Sequence, residues 1–143
     1  MKEELKSLYK KVILEHNKTP QYFYENKDAD QILDAYNPVC GDRFQIYLKL
    51  ENDRIKEVSF KGYGCAISKA SISIMMENIL GKNMNEVTKL YSEFNQVIHA
   101  KDGAEKFADS TFQVFAAAQS FPGRMDCVTL GWEELIRFIK KED

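Results

Sequence analysis

The sequence predicts an α+β fold, a small antiparallel β-sheet of two to three strands covered by helices. Three observations lead there. Residues 43–50, RFQIYLKL, and 55–62, IKEVSFKG, alternate apolar and polar side chains on either side of the turn-forming ENDR. That pattern makes a hairpin with one buried face. Other segments repeat apolar residues at helical spacing, and Gly, Pro, Asn and Asp mark the junctions between elements. A chain of 143 residues with 44% hydrophobic content supports a real core, and residues 1–143 read as a single domain.

Residues 2–16 are predicted helical, because Leu5, Leu8, Tyr9, Val12 and Ile13 recur at helical spacing among Lys and Glu. Pro20 ends the pattern. Residues 17–30, NKTPQYFYENKDAD, read as a long surface loop whose Tyr22, Phe23 and Tyr24 pack down on the core or meet a partner. QILDAY, 31–36, is a candidate short strand. In the 43–50 strand, Phe44, Ile46, Leu48 and Leu50 share the inner face. Val58 and Phe60 face inward in the return strand. AISKASISIMMENIL reads as a buried helix with Ile67, Ala70, Ile74 and Met75 on its inner side, closed by Gly81. NMNEVTKLYSEFNQVIH is a second helix capped by Asn83. DGAEKFADSTFQVFAAAQSF reads as mostly helical with Asp102 as its cap, and PGRMDC breaks it. VTLGWEELIRFIKK makes a last amphipathic helix with Leu130, Leu135, Ile136 and Ile139 inward and Trp132 at its edge.

Charged residues make up 29% of the chain and the formal net charge is −2, so nucleic-acid binding has no overall electrostatic support. No apolar run approaches the roughly 20 residues that span a bilayer, and the charged N-terminus lacks a signal-peptide core. The expectation is a cytoplasmic protein without nucleic acid or membrane partners.

The three cysteines, Cys40, Cys65 and Cys127, are too few and too widely spaced for a disulfide framework. Each sits at a junction. Cys40 precedes the first hairpin strand, Cys65 follows the second and opens a helix, and Cys127 opens the last helix. Core-filling cysteines usually lie on the apolar face of an element. Because the hairpin strands run out and back, Cys40 and Cys65 flank neighbouring ends, with their midpoint inside the turn. Paired strands lie about 4.8 Å apart, which lets two thiolates share one metal through bonds of about 2.3 Å. Sequence does not place Cys127 beside them, although its helix has to cover the same small sheet. Thiolates of Cys65 and Cys127 at helix starts gain from unpaired N–H groups and the helix dipole. Arg124, three residues before Cys127, adds positive charge, and Gly41, Gly62 and Gly64 leave backbone space nearby. With Asp42 as an oxygen donor, Cys40, Asp42, Cys65 and Cys127 form a set suited to tetrahedral zinc. Asp42 also has a second reading, as a turn or strand-capping residue.

NPVCGDRFQIYLKL, FKGYGCAISKASISIMME and GRMDCVTLGWEEL, with the opening LYKKVILEHNKTP, resemble the U-type iron–sulfur cluster assembly proteins, the IscU/SufU family. The likeness covers nearly the whole chain. The long gap from Cys65 to Cys127 and the placement of Arg124 look like the SufU branch. The resemblance implies zinc held by Cys40, Asp42, Cys65 and Cys127. It implies a SufS-type cysteine desulfurase as partner, with further iron–sulfur assembly proteins downstream. It also implies a zinc-dependent sulfurtransferase in which Cys40, released from zinc by a histidine of the desulfurase, accepts persulfide sulfur. Arg124 then supports the anionic site or contacts the partner.

The alternative is a scaffold on which a [2Fe–2S] iron–sulfur cluster forms at the same cysteines. A structural zinc module that only docks on a partner is the third reading. Two features depart from the family pattern: the segment after His16, and Asp126 before the last cysteine, where IscU proteins have histidine. Asp126 is therefore a rival to Asp42 as the oxygen ligand. His16 and His99 lie at helix ends without ligand-like spacing, and Met75–Met76 reads as core.

Overall fold

The computed structural model describes residues 3–100, 112–121 and 123–142. Helix α1 (Glu3–Lys18) is followed by strands β1 (Gln31–Asn37), β2 (Asp42–Glu51) and β3 (Arg54–Tyr63). Helices α2 (Ala66–Ile79) and α3 (Met84–Ile98), a 3-10 helix (Gln113–Ser120) and helix α4 (Met125–Glu142) complete the order. The strands form an antiparallel sheet in the order β1-β2-β3. The α+β architecture with a three-stranded sheet is therefore present, and QILDAY is its first strand.

Alternation decides which face is buried. Leu33 and Ala35 pair with Ile46 and Phe44, and Leu48 and Ile46 pair with Val58 and Phe60. All lie in the core. Asn52 and Asp53 both adopt positive φ, 53° and 62°, in the tight turn between β2 and β3. This is the twist-matched geometry of a two-residue hairpin, tolerated by Asn and Asp. A one-residue register shift falls between Lys49 and Leu50. It slides β3 along β2, so that Arg43 pairs with Tyr63. Continued past the strand ends, this register sets Gly64 opposite Asp42 and Cys65 opposite Gly41. The symmetry about the turn had suggested Cys40 as the position facing Cys65.

Helix α2 packs against α1, α4 and β3. Its contact with α4 is close because Gly131 has no side chain: a Cβ there would lie 2.7 Å from Ile72 Cγ1. Ser71 Oγ donates to the Val128 carbonyl at 2.6 Å across the same crossing. Ser73 Oγ, buried on α2, accepts from the Gln21 backbone N–H at 2.7 Å and meets His16 Nδ1 at 2.7 Å, which ties α1 and the following loop to α2. In α1, Tyr9 and Ile13 are buried, whereas Leu8 is exposed; the side chain of Leu5 lies outside the described residues. Phe23 meets Phe60 edge-on at 5.0 Å, while Tyr22 and Tyr24 remain exposed.

Asn83 caps α3 through a capping box with Glu86, as expected of an Asn three residues before a Glu. Three expectations change. Residues 113–120 form a 3-10 helix where a mostly α-helical segment was predicted, and the predicted cap Asp102 lies outside the described residues. Helix α4 starts at Met125, so Cys127 lies within its first turn and not at its opening. Trp132 is fully buried and not at an edge. It stacks on Phe94 at 5.1 Å and meets Phe112 edge-on at 5.6 Å, the two favourable aromatic geometries.

Candidate metal centre

Three of the four predicted donors come together at one end of the sheet. Asp42, Cys65 and Cys127 offer ligand atoms that all lie within 4.8 Å of one another. Asp42 reaches this place because it begins β2 on the inner face, in phase with Phe44 and Ile46, and it is 2% exposed. Cys65 sits between β3 and α2 as the N-cap of the helix. Cys127 is buried in the first turn of α4, held beside α2 by the Ser71–Val128 bond described above. Gly64 makes the approach possible. A Cβ at that position would meet Asp42 Cγ at 2.9 Å and Phe44 Cε2 at 2.7 Å, so any side chain would push the carboxylate away.

Local hydrogen bonds orient the donors. The Cys65 backbone N–H donates to Asp42 Oδ1 at 3.0 Å, and Ser68 Oγ donates to Asp42 Oδ2 at 2.6 Å. Cys65 Sγ accepts from the Ser68 backbone N–H at 3.4 Å, the usual N-cap interaction made by sulfur. A buried carboxylate requires such donors. Asp42 therefore has bonding beyond that of a turn residue, and it is anchored to the N-terminus of α2.

The electrostatics of Cys127 differ from the helix-dipole expectation. Burial, followed by the neighbouring Cys65, pushes its thiol up to about 12. Burial in apolar surroundings disfavours the thiolate, and here it outweighs the first-turn position. A divalent cation among the donors reverses that balance, since a coordinating thiol is deprotonated. Two thiols and one carboxylate make a soft-leaning donor set. It fits zinc, which takes Cys and Asp ligands at tetrahedral positions, and thiophilic iron–sulfur chemistry as well.

Cys40 stands outside this cluster. It is exposed on the turn between β1 and β2. Asn37 shapes that turn: its side chain accepts from the Val39 N–H at 3.1 Å, and its carbonyl accepts from the Gly41 N–H at 2.8 Å. Gly41 takes φ +77°, a conformation that other residues rarely adopt, with nothing within 4 Å of a Cβ built there. Asp126 is exposed and is not a member of the cluster. Arg124 is exposed just before α4. His99 is exposed at the C-terminus of α3, and His16 is engaged with Ser73, so neither histidine joins the donors.

One contributor, Ser68, was not singled out from sequence. Ser68 follows Cys65 by three residues, the spacing from N-cap to third helical position, and that spacing was a readable signal.

With this geometry established, comparison with known proteins identifies the family. The model of the NifU-like N-terminal domain matches residues 8–128. The chain belongs to this family. It is 32% identical over 139 residues to the zinc-dependent sulfurtransferase SufU of Bacillus subtilis, covering 97% of this chain and 94% of that protein. It is 30% identical over 138 residues to the iron–sulfur cluster assembly scaffold protein IscU of Streptococcus pyogenes, covering 96% of this chain and 86% of that one. A crystal structure from Fervidobacterium islandicum, of a protein named as an iron–sulfur cluster assembly scaffold for the SUF system, superposes with a TM-score of 0.75 at 27% identity. That match covers 87% of this chain and 90% of the other. The NifU-like fold thus carries the Asp42–Cys65–Cys127 cluster at its sheet end, and two of these three similar proteins are named as iron–sulfur cluster assembly scaffolds. Among the described residues no helix is long and apolar enough to cross a membrane.

Proposed function

We propose that this protein is a zinc-dependent sulfur acceptor for iron–sulfur cluster biogenesis in the cytoplasm, working with a cysteine desulfurase of the SufS type. Asp42, Cys65 and Cys127 would hold zinc, with Cys40 as a fourth, detachable ligand. The observation that carries this reading is the division among the thiols. Cys65 and Cys127 are set into helix N-termini beside a hydrogen-bonded Asp42, while Cys40 is exposed on a glycine-containing turn. The similarity to a protein named a zinc-dependent sulfurtransferase supports the same reading.

The chemistry balances without an external oxidant. The Cys40 thiolate attacks the terminal sulfur of a desulfurase persulfide. A new S–S bond forms on Cys40, the S–S bond of the donor breaks, and the desulfurase cysteine leaves as a thiolate. Zinc supplies charge that keeps ligand sulfurs deprotonated at neutral pH. This chain's part is to fix two sulfurs and the carboxylate and to leave the third sulfur on a segment that reaches a partner. Arg124, exposed just before α4 and three residues from Cys127, would add positive charge at that end of the helix or contact the partner.

The test is a desulfurase reaction with cysteine, with and without this protein, followed by mass mapping of persulfides and metal analysis of the same sample. Stimulated turnover, about one zinc per chain and a persulfide on Cys40 are expected. A persulfide on Cys65 or Cys127 with Cys40 unmodified would overturn the assignment. A brown protein that acquires visible absorption under anaerobic reconstitution, without stimulating the desulfurase, would favour the cluster scaffold instead.

A further inference from the structure

The outer face of the sheet is covered at one end and open at the other. Near the β2–β3 turn it lies under the segment that follows α1. Asn26 Nδ2 donates to Glu57 Oε1 at 3.1 Å, and Lys49 Nζ donates to the Asp28 carbonyl at 3.3 Å. Tyr47 and Ser59, paired in register on that face, are buried. At the far end, Tyr36, Arg43 and Tyr63 form a row in register across all three strands, and all three side chains are exposed.

The open end is fixed in shape. Asp34 accepts two bonds from the Arg43 guanidinium, at 3.1 and 2.8 Å, and a third from Gln45 Nε2 at 3.2 Å. The guanidinium also lies 5.3 Å from the centroid of the Tyr36 ring. The charge of Arg43 is thus answered within its own sheet, which leaves a face that is nearly neutral and aromatic. Tyr36 is 51% exposed, Tyr63 66% and Val39, on the adjoining turn, 91%. With Ile32 they are four of the eight exposed large hydrophobic residues among those described, so the exposed apolar surface gathers here. Tyr and Arg are also the residue types that carry most binding energy where proteins meet.

Position decides what meets this face. The Asp42–Cys65–Cys127 cluster lies on the inner side of the same sheet end, and the Cys40 turn is the lip between the two sides. Cys40 takes sulfur only from a donor sulfur brought into contact with it. At 3.8 Å per residue, the chain keeps the Cα atoms of Tyr36 and Arg43 within about 15 and 11 Å of that of Cys40. A standard interface covers about 800 Å² per partner, a disc of radius about 16 Å. A protein centred on Cys40 therefore overlaps the aromatic row.

We propose that Tyr36, Val39 and Tyr63, braced by the Arg43–Asp34 pair, are the docking face for the sulfur-donating protein, which meets them with an apolar surface around its persulfide cysteine. The inference rests on the sulfur-acceptor reading above. A neutral face asks no counter-charge of its partner, so the attraction comes from burying aromatic area.

The test is steady-state turnover of a purified SufS-type cysteine desulfurase, with the full chain as the varied substrate. Tyr36→Ser and Tyr63→Ser should each raise the KM for this protein by about 10-fold, with kcat at saturation near the parental value. Zinc content should stay parental in both, and so should persulfidation of Cys40 by glutathione persulfide, a donor too small to need the face. Leu14→Ser, at an equally exposed apolar site on α1, is the control and should leave KM unchanged. Parental KM in both tyrosine variants would overturn the proposal and leave the sulfur-acceptor reading standing. Slower reaction of the variants with glutathione persulfide would also overturn it, since the defect would then lie in Cys40 itself. A parental dimer in sedimentation that the tyrosine variants break would give the face to a second copy of this chain instead. If the desulfurase placed no persulfide on Cys40 of the parent, the sulfur-acceptor reading would fall and this inference with it.

Discussion

Ser68 Oγ lies 2.6 Å from Asp42 Oδ2, which fastens the first residue of β2 to the first turn of α2 through a buried, charge-assisted hydrogen bond. Cys65 stands between the two residues, with its N–H on the same carboxylate. Removing the hydroxyl leaves Asp42 with one donor in a site that water hardly reaches. Ser68→Ala should therefore destabilise the protein by about 1.5–3 kcal/mol, and zinc affinity should fall by about 10- to 100-fold. Denaturant titration and chelator competition check the two effects separately. A variant with parental stability would show that the carboxylate is satisfied in some other way.

The α2–α4 crossing places the third donor. A Cβ on Gly131 would stand 2.7 Å from Ile72 Cγ1 and 3.4 Å from Met75 Cε. Both are core side chains with little room to retreat. Gly131→Ala should cost about 1–3 kcal/mol through overpacking. It should also weaken zinc binding, because the helix that must shift is the one carrying Cys127. Loss of stability with unchanged affinity would mean that the strain is absorbed elsewhere along α4.

The hairpin and the sheet face were legible from sequence because period-2 alternation and an Asn-Asp turn are local signals. Three of the four candidate donors, Asp42, Cys65 and Cys127, do lie together, and what pointed to them was also local: cysteines at element junctions and a carboxylate two residues from Cys40. The one-residue slip at Lys49–Leu50 was not legible, since alternation alone does not show where a bulge falls. That slip sets Cys65 opposite Gly41, not opposite Cys40. The 3-10 form of Gln113–Ser120 was also hidden, because VFAAA is apolar without a period that separates the two helix types. Tyr9 was read correctly as buried. The lack of a partner for its hydroxyl is a tertiary fact that no spacing encodes.

The two candidate carboxylates separate cleanly by position. Asp42 is buried within the cluster and Asp126 is exposed outside it. Asp42→Ala should lower bound zinc and raise its dissociation constant, while Asp126→Ala should leave both near the parental values. Metal analysis after dialysis against a weak chelator measures this directly. Zinc lost from the Asp126 variant, and kept by the Asp42 variant, would reverse the assignment.

The division of labour among the thiols gives the last prediction. Cys127 is 1% exposed and lies among core side chains, whereas Cys40 projects from a turn shaped by Asn37 and Gly41. Where zinc is bound by buried ligands, its binding energy adds to folding stability. Cys65→Ala and Cys127→Ala should therefore lose zinc and, in zinc-containing buffer, lose most of the stabilisation that the metal provides to the parent. Cys40→Ala should retain measurable zinc on Asp42, Cys65 and Cys127, with weaker affinity, and its melting temperature should still rise on adding zinc. Loop ligands detach at lower cost than ligands packed into helix ends, because loops open locally without disturbing the core. Melting curves for the three variants, each with zinc and with chelator, make the comparison. Equal loss of the zinc-dependent shift in all three would mean that Cys40 is as firmly built into the centre as its partners, and that sulfur transfer through a detachable Cys40 has no structural basis.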